Sequence, residues 1–461
     1  MRRPRLALAS GVLVTTLAAV IPAAAARFQP GADGIGDPFF PRAGNGGYDV
    51  SHYDLRLRFD PRRDRLRART VITANATHPL SRFNLDYRGP RILRVKLDGA
   101  RSRYFRRGRE LVITPQVGIA AGGRFRVAVS YRGRPGKVTD PDGSREGWFH
   151  TDDGSVVVAE PQGSPAWYPA NDHPADKATF DFAVTVPRGL EAIANGRLER
   201  RRRHGRWVTF RWRAGEPMAP YLATVATGRF RLVRSKEAGI AAITAVDPRL
   251  WPRSRPALRR TGAILRLFRS LFGPYPFGAV GAIVDRARIG YALETQTRPV
   301  YDGPPSEALI AHELSHQWFG NSVSVATWPE IWLNEGFATW AEWRWDEREG
   351  GPTTAQRFDE LYATPARVKR FWNPPPAAVP GPHKLFADSV YIRGAMTLEL
   401  LRQRVGTDTF LAILREWARA HADGNATTAE FISLAEAHAG DPKLSDTLFD
   451  SWLYEPGKPA R

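Results

Sequence analysis

The sequence has no cysteine among its 461 residues. That excludes disulfide staples, thiolate nucleophiles, cysteine metal ligands and lipid attachment through an N-terminal cysteine. It also lacks internal repeats and low-complexity tracts, so neither a solenoid nor a largely disordered chain is expected. Only one long apolar run occurs, from Leu6 to Ile21, behind the basic Arg2, Arg3 and Arg5 and ahead of four alanines at 23–26. That order reads as a cleavable export signal over residues 1–26, giving a secreted or extracytoplasmic product with no membrane-spanning segment after cleavage. Acidic residues are in the minority, 47 against 67 basic ones, for a net charge of +20. The arginines are spread over strand-like stretches such as "LRLRFDPRRDRLRAR" rather than gathered in one arm, so no nucleic-acid partner is expected. Loose association with an anionic envelope surface stays open beside the plainer reading of a solvated, arginine-rich exterior.

What is present is enough apolar material for real cores, 43% of residues with 14 Trp and 23 Phe. Up to about residue 233 the apolar residues alternate: Tyr53, Leu55, Leu57, Phe59; Phe125, Val127, Val129, Tyr131; Phe180, Phe182, Val184, Val186. Short alternating runs between Gly, Pro and Asp turns predict half-buried antiparallel strands and a sandwich-like domain. Past residue 250 the period becomes helical, with Leu258, Leu265, Phe268 and Phe272 placed on one face of a helix closed by Gly273-Pro274. "AVGAIVD" at 279–285 reads as a strand, and "MTLELLRQRVG" and "DTFLAILREWARAHADG" read as amphipathic helices. The second half is therefore mostly helical with a small sheet, making the chain a multi-domain α+β protein.

The chemistry gathers in "HELSHQWFG". Ser306 can cap a helix running to Gly320, which puts His312 and His316 one turn apart on one face. Two imidazoles aimed at one point suit Zn²⁺, and Glu313 is placed to act as general base toward the attacking water. Two core histidines on an amphipathic helix are the competing explanation. A third ligand is offered by Glu335 in "WPEIWLNEGFATWAEW", with eighteen residues between it and His316. Its apolar neighbours Trp332, Leu333, Phe337 and Trp340 predict a buried helix, where a carboxylate without a counter-charge is costly. Glu342, two turns further on, is a candidate acceptor for a ligand histidine N–H.

"HELSHQWFG" followed at this spacing by "WLNEGFATW" resembles the aminopeptidase N and leukotriene hydrolase family of zinc metallopeptidases. "GYDVSHYDLRLRFDP", "WYPANDHPADKATFDFAVTVP" and "PMAPYLATVATGRF" extend the likeness over about residues 46–455. The resemblance implies a flexible Gly/Pro-rich segment at 27–46, a saddle-like β domain over 47–235 and a thermolysin-like zinc peptidase domain over 236–461. It assigns one zinc to His312, His316 and Glu335, with Glu313 as the base. Tyr391 in "VYIRGA" takes the place of an oxyanion donor, with Arg393 where many relatives have Lys. Glu294 and Ala292 in "GYALETQTRP", together with Glu160 in "VVAEPQGSPAWYP", correspond to the site that holds the substrate amine. The implied function is an exported aminopeptidase acting on peptides with a free N-terminus. Thr295 stands where the family has Asn, and the chain stops after "FDSWLYEPGKPAR", without the C-terminal domains of larger relatives. Three other readings remain: a broadened or endopeptidase specificity, epoxide hydrolysis at the same site, and a non-catalytic basic envelope-binding protein.

Overall fold

The computed structural model describes residues 27–461, so the export signal expected at 1–26 lies outside the described residues. The first half is built from three sheets. An eight-stranded sheet runs in the order Arg197–His204, Trp207–Met218, Ala178–Pro187, Tyr48–Asp60, Arg65–Ala76, Arg124–Gly133, Arg91–Leu97 and Ala100–Arg101. Its inward residues are the alternating apolar ones: Tyr53, Leu55, Leu57 and Phe59 are buried, while Arg56 and Arg58 between them are exposed. Tyr53 stacks on Phe180 at 4.6 Å, joining two neighbouring strands through their core faces. The sheet departs from the antiparallel expectation at this place, because Tyr48–Asp60 and Ala178–Pro187 pair in parallel. A five-stranded sheet, from Lys137–Thr139 to Glu191–Ala194, and a four-stranded sheet pack against the same core.

Two boundaries differ from expectation. The segment 27–46, read as flexible, is docked: Gln29–Pro30 pairs with Leu80–Asp86, and Phe40 and Ala43 are buried. Asp37 is the anchor. Its carboxylate accepts from the N–H groups of Phe39, Phe40 and Trp328 and meets His173 Nε2 at 3.0 Å. Burial alone would raise its pKa, but these hydrogen bonds hold it below the ordinary carboxylate value. The junction between the halves falls ahead of residue 235, since Arg231–Glu237 already belongs to the second half's sheet with Ile240–Val246, Val280–Asp285 and Val300–Asp302.

The second half carries the helices α1 (Trp251–Leu258), α2 (Thr261–Phe272), α3 (Glu307–Ser315), α4 (Trp332–Arg348), α5 (Thr354–Tyr362), α6 (Lys369–Trp372), α7 (Asp388–Val405), α8 (Thr407–Ala420) and α9 (Thr428–Ala439). The single helix expected through Leu258 and Phe272 is thus two, broken after Leu258. Helix α3 stops at Ser315 rather than Gly320, because Gln317 N and Trp318 N bond back to Leu314 and Ser315, tightening the last turn to i→i−3. Helices α4 and α7 cross at Gly336 and Gly394. A Cβ on Gly336 would sit 3.0 Å from the Gly394 backbone, so a side chain at either position would press the two helices apart by a few tenths of an ångström. Among the described residues, no helix is long and apolar enough to cross a membrane.

Candidate active site

The crossing of α4 and α7 is what brings Glu335 and Tyr391 together, each lying close in sequence to one of the two glycines. Helix α3 approaches the same spot, capped as expected by Ser306 Oγ, which accepts from Leu309 N at 3.0 Å. His312 Nε2 lies 3.2 Å from Glu335 Oε2, and His316 Nε2 lies 3.4 Å from the same oxygen. The opposite ring nitrogens are engaged elsewhere. His316 Nδ1 meets Phe319 O at 3.0 Å, and His312 Nδ1 meets Glu342 Oε2 at 3.5 Å. Both imidazoles are thereby fixed with Nε2 turned toward Glu335, the orientation a ligating pair needs. Glu342 occupies the accepting position the helical spacing suggested.

One ligand atom from each of His312, His316 and Glu335 falls within a 4.8 Å cluster. Two imidazoles and one carboxylate form a zinc donor set, and Glu335 is buried with 4% exposure, where a cation compensates its charge. The residues present therefore fit a zinc ion. Electrostatics agree with a site built for positive charge. Burial opposes ionisation of Glu335, yet the two imidazoles pull its carboxyl down to about 2. The same burial would lower both histidines, but contact with Glu335, and for His312 with Glu342, raises them. Glu313 sits beside this group, and burial, reinforced by Glu294 and Glu335, pushes it up to about 8.

These residues line a cavity of about 780 Å³ between the two halves of the chain. Tyr391 stands over His312 with its ring nearly parallel at 6.1 Å. Glu160 enters from the β half and Glu294 from the loop before Val300–Asp302, and each has a buried carboxylate oxygen with no hydrogen-bond partner. Burial first, then mutual proximity to other carboxylates, raises the pKa of both. Ala292 also lines the cavity. The eight residues assigned from the sequence to metal, catalysis and substrate thus line one cleft, with Glu342 beside them.

Sequence reasoning missed the supports behind these groups. Gln317, directly after His316, donates to Glu294 O at 3.0 Å and accepts from Thr297 N at 2.8 Å, while Asn321 donates to Glu294 O at 2.8 Å. Behind that loop, the buried Arg298 donates to Ala194 O and Gly196 O at 2.7 Å and stacks over Trp212, tying the loop to the β half. Thr295 does not face the cleft, since its hydroxyl donates to Arg298 O and closes the turn from within. Two residues beyond Glu160, the Gln162 N–H donates to Glu146 and its side-chain amide links Asp140 to Arg109. Arg393 points away from the cleft and donates to the carbonyls of Trp372, Ser451, Trp452, Glu455 and Gly457. Only the run of polar residues in "HQWFGNS" hinted at any of these supports.

Comparison with known proteins follows the same division. Residues 50–222 match the Peptidase M1 N-terminal domain, and residues 291–452 match the Peptidase family M1 domain. Aminopeptidase M1 of Arabidopsis thaliana is 29% identical over 338 residues, 66% of this chain and 37% of that protein. Probable aminopeptidase 1 of Saccharolobus solfataricus is 26% identical over 412 residues, 82% of this chain and 50% of that protein. The chain therefore spans half or less of these relatives' length. The crystal structure of an M1 zinc metallopeptidase from Deinococcus radiodurans superposes with a TM-score of 0.84 at 29% identity, covering 93% of this chain and 99% of that one. A mutant of the same enzyme bound to the substrate Tyr-Ser-Ala superposes with a TM-score of 0.85.

Proposed function

The chain belongs to peptidase family M1, and from that premise we propose that it is a zinc-dependent aminopeptidase releasing N-terminal residues from peptides. The observation that carries the reading is the convergence of His312, His316 and Glu335 on one point, with Glu313, Glu160 and Glu294 around it in one cleft. His312, His316 and Glu335 would hold the zinc, which would supply Lewis acidity toward the scissile carbonyl and the attacking water. The protein's own groups do the rest. Glu313, beside the ligand pair in the cleft, accepts a proton from the attacking water and delivers it to the leaving amine. Tyr391, kept neutral because burial raises its phenol, donates a hydrogen bond to the oxyanion that forms on the carbonyl. Glu160 and Glu294 offer their partnerless oxygens to the substrate ammonium. That grip sets the register at one residue from the end and disfavours internal peptide bonds. Phe319 O and Glu342 hold the two imidazoles in the correct orientation throughout.

The basic-then-apolar stretch at 1–26 supports export of the enzyme across a membrane. The direct test of the whole reading is hydrolysis of an aminoacyl-anilide before and after chelation. Activity should vanish on removal of metal and return with one equivalent of zinc. Turnover that persists in demonstrably metal-free protein would overturn it.

A further inference from the structure

Outside the cleft, the outer face of the eight-stranded sheet carries a concentration of arginine. Residues paired across neighbouring strands point to the same face, so strand register alone defines what that face carries. Arg56 faces Arg69, and Arg58 faces Arg67. Arg67 in turn faces Arg132, and Arg132 faces Arg91. On the other flank Arg211 faces Arg200, and Arg202 faces Thr209. Ala183 and Thr185, on the strand between, join the two flanks, and Ser130 carries the first row on to Arg94. Ten exposed arginines thus lie in two adjacent rows across seven strands, with no acidic residue at any position of either row.

A solvated, arginine-rich exterior does not account for this pattern. Like charges directly opposite one another destabilise a strand pair. Among the described residues, only Arg56 of the ten has a carboxylate within 4.0 Å, its neighbour Asp54. Some arginines elsewhere are paired, as Arg249 is with Asp247 and Asp152, and Arg260 with Glu307 and Glu349, and others stand alone, but here the unpaired ones are set side by side in register. Three depressions between the guanidinium groups run together, sharing Thr209 and Arg211 at one junction and Arg58 and Arg67 at the next. The face is a trough lined mostly by guanidinium groups without a carboxylate partner, with Asp60 the one acidic residue among the lining of the three depressions.

We propose that this trough is a docking surface for a linear phosphate polymer, gripped through its phosphates alone. Guanidinium forks match phosphate oxygens two at a time, which an ammonium does not. A trough running across the strands fits an extended chain better than a flat bilayer. Trp207 is 9% exposed and covered by Arg58 and Arg206, which leaves His204 as the one exposed ring in the trough, too few for a row of stacked bases. None of the ten arginines lines the catalytic cleft, so the inference stands independently of the proposed activity.

The test is binding of long-chain inorganic polyphosphate to the whole protein as salt is varied. The variant Arg58→Gln, Arg67→Gln, Arg69→Gln, Arg211→Gln is compared with a control of equal charge, Arg229→Gln, Arg234→Gln, Arg253→Gln, Arg255→Gln, drawn from exposed positions elsewhere. Each lost phosphate contact should flatten the slope of log affinity against log salt by about 0.7. Over a fourfold rise in salt, the native protein should therefore lose about fiftyfold more affinity than the face variant. The control should keep the native slope, and both variants should keep native anilide turnover. Equal flattening in both would show that net charge alone is responsible and overturn the proposal. Tighter binding per phosphate to anionic phospholipid vesicles or to single-stranded oligonucleotides than to polyphosphate would overturn it as well.

Discussion

Replacing Glu294 by Gln keeps the side chain's shape and removes its charge, which isolates the proposed grip on the substrate amine. Glu294 is 2% exposed, and its Oε1 has no partner in the protein. An ammonium about 4 Å from a carboxylate gains about 4 kcal/mol at an effective dielectric of about 20. Desolvation of both groups offsets part of that, leaving about 2–3 kcal/mol, or roughly thirty- to 160-fold in kcat/KM. The assay compares kcat/KM for an aminoacyl-anilide with that for its N-acetylated counterpart. The native enzyme should strongly prefer the free amine. Glu294→Gln should narrow that preference by the stated factor, through slower handling of the free-amine substrate, while the acetylated substrate is little affected. A preference within about threefold of native would refute the assignment, since Gln317 and Asn321 hold the Glu294 backbone and the loop should survive the change.

Three further outcomes follow from the geometry. Tyr391→Phe should lower kcat by about 10²–10³ with little change in KM, the signature of a donor that acts on the oxyanion. Arg393→Met leaves five backbone carbonyls of the 372 and 451–457 segments without their donor, and should cost at least about 3 kcal/mol by chemical denaturation. Lys at that position should recover only part of the loss, having three donors to Arg's five. Lys177 is pushed down to about 7 by burial, although its ammonium donates to the carbonyls of Asn321, Ser322 and Gly424. Between that value and its unfolded pKa near 10.4 the unfolded chain binds the extra proton. Native stability therefore rises with pH in this window, by at most about 1.4 kcal/mol per unit, and is lost as pH falls through 7. Denaturation curves of the native protein and Lys177→Met between pH 7 and 10 should differ by that slope; parallel curves would show that Lys177 stays charged.

The parts of the molecule legible in the sequence are those set by local period. Alternation at Tyr53–Phe59 placed the strands, and the four-residue spacing of His312 and His316 placed two ligands on one face. Glu335 was readable because its apolar neighbours announced a buried helix. What escaped depends on contacts between distant segments. Asp37 meets the N–H of Trp328 across 291 residues, and nothing near Asp37 in the Gly/Pro-rich stretch signals that partner. The parallel pairing of Tyr48–Asp60 with Ala178–Pro187 leaves the alternation of each strand unchanged, so period cannot reveal it. Gly336 and Gly394 look like weak points in two helices until their backbones are seen to touch. The arginine rows escaped for the same reason, since no strand carries more than two of the ten and the register assembles the rest.

The central claim is that Glu313 acts on substrate while His312, His316 and Glu335 hold one zinc. Metal content and single-turnover hydrolysis measured together on Glu313→Gln test it most directly. The prediction is one zinc per chain, as in the native protein, with hydrolysis slowed by at least about 10². Hydrolysis at near-native rate, or a variant that has lost its zinc, would contradict the division of roles.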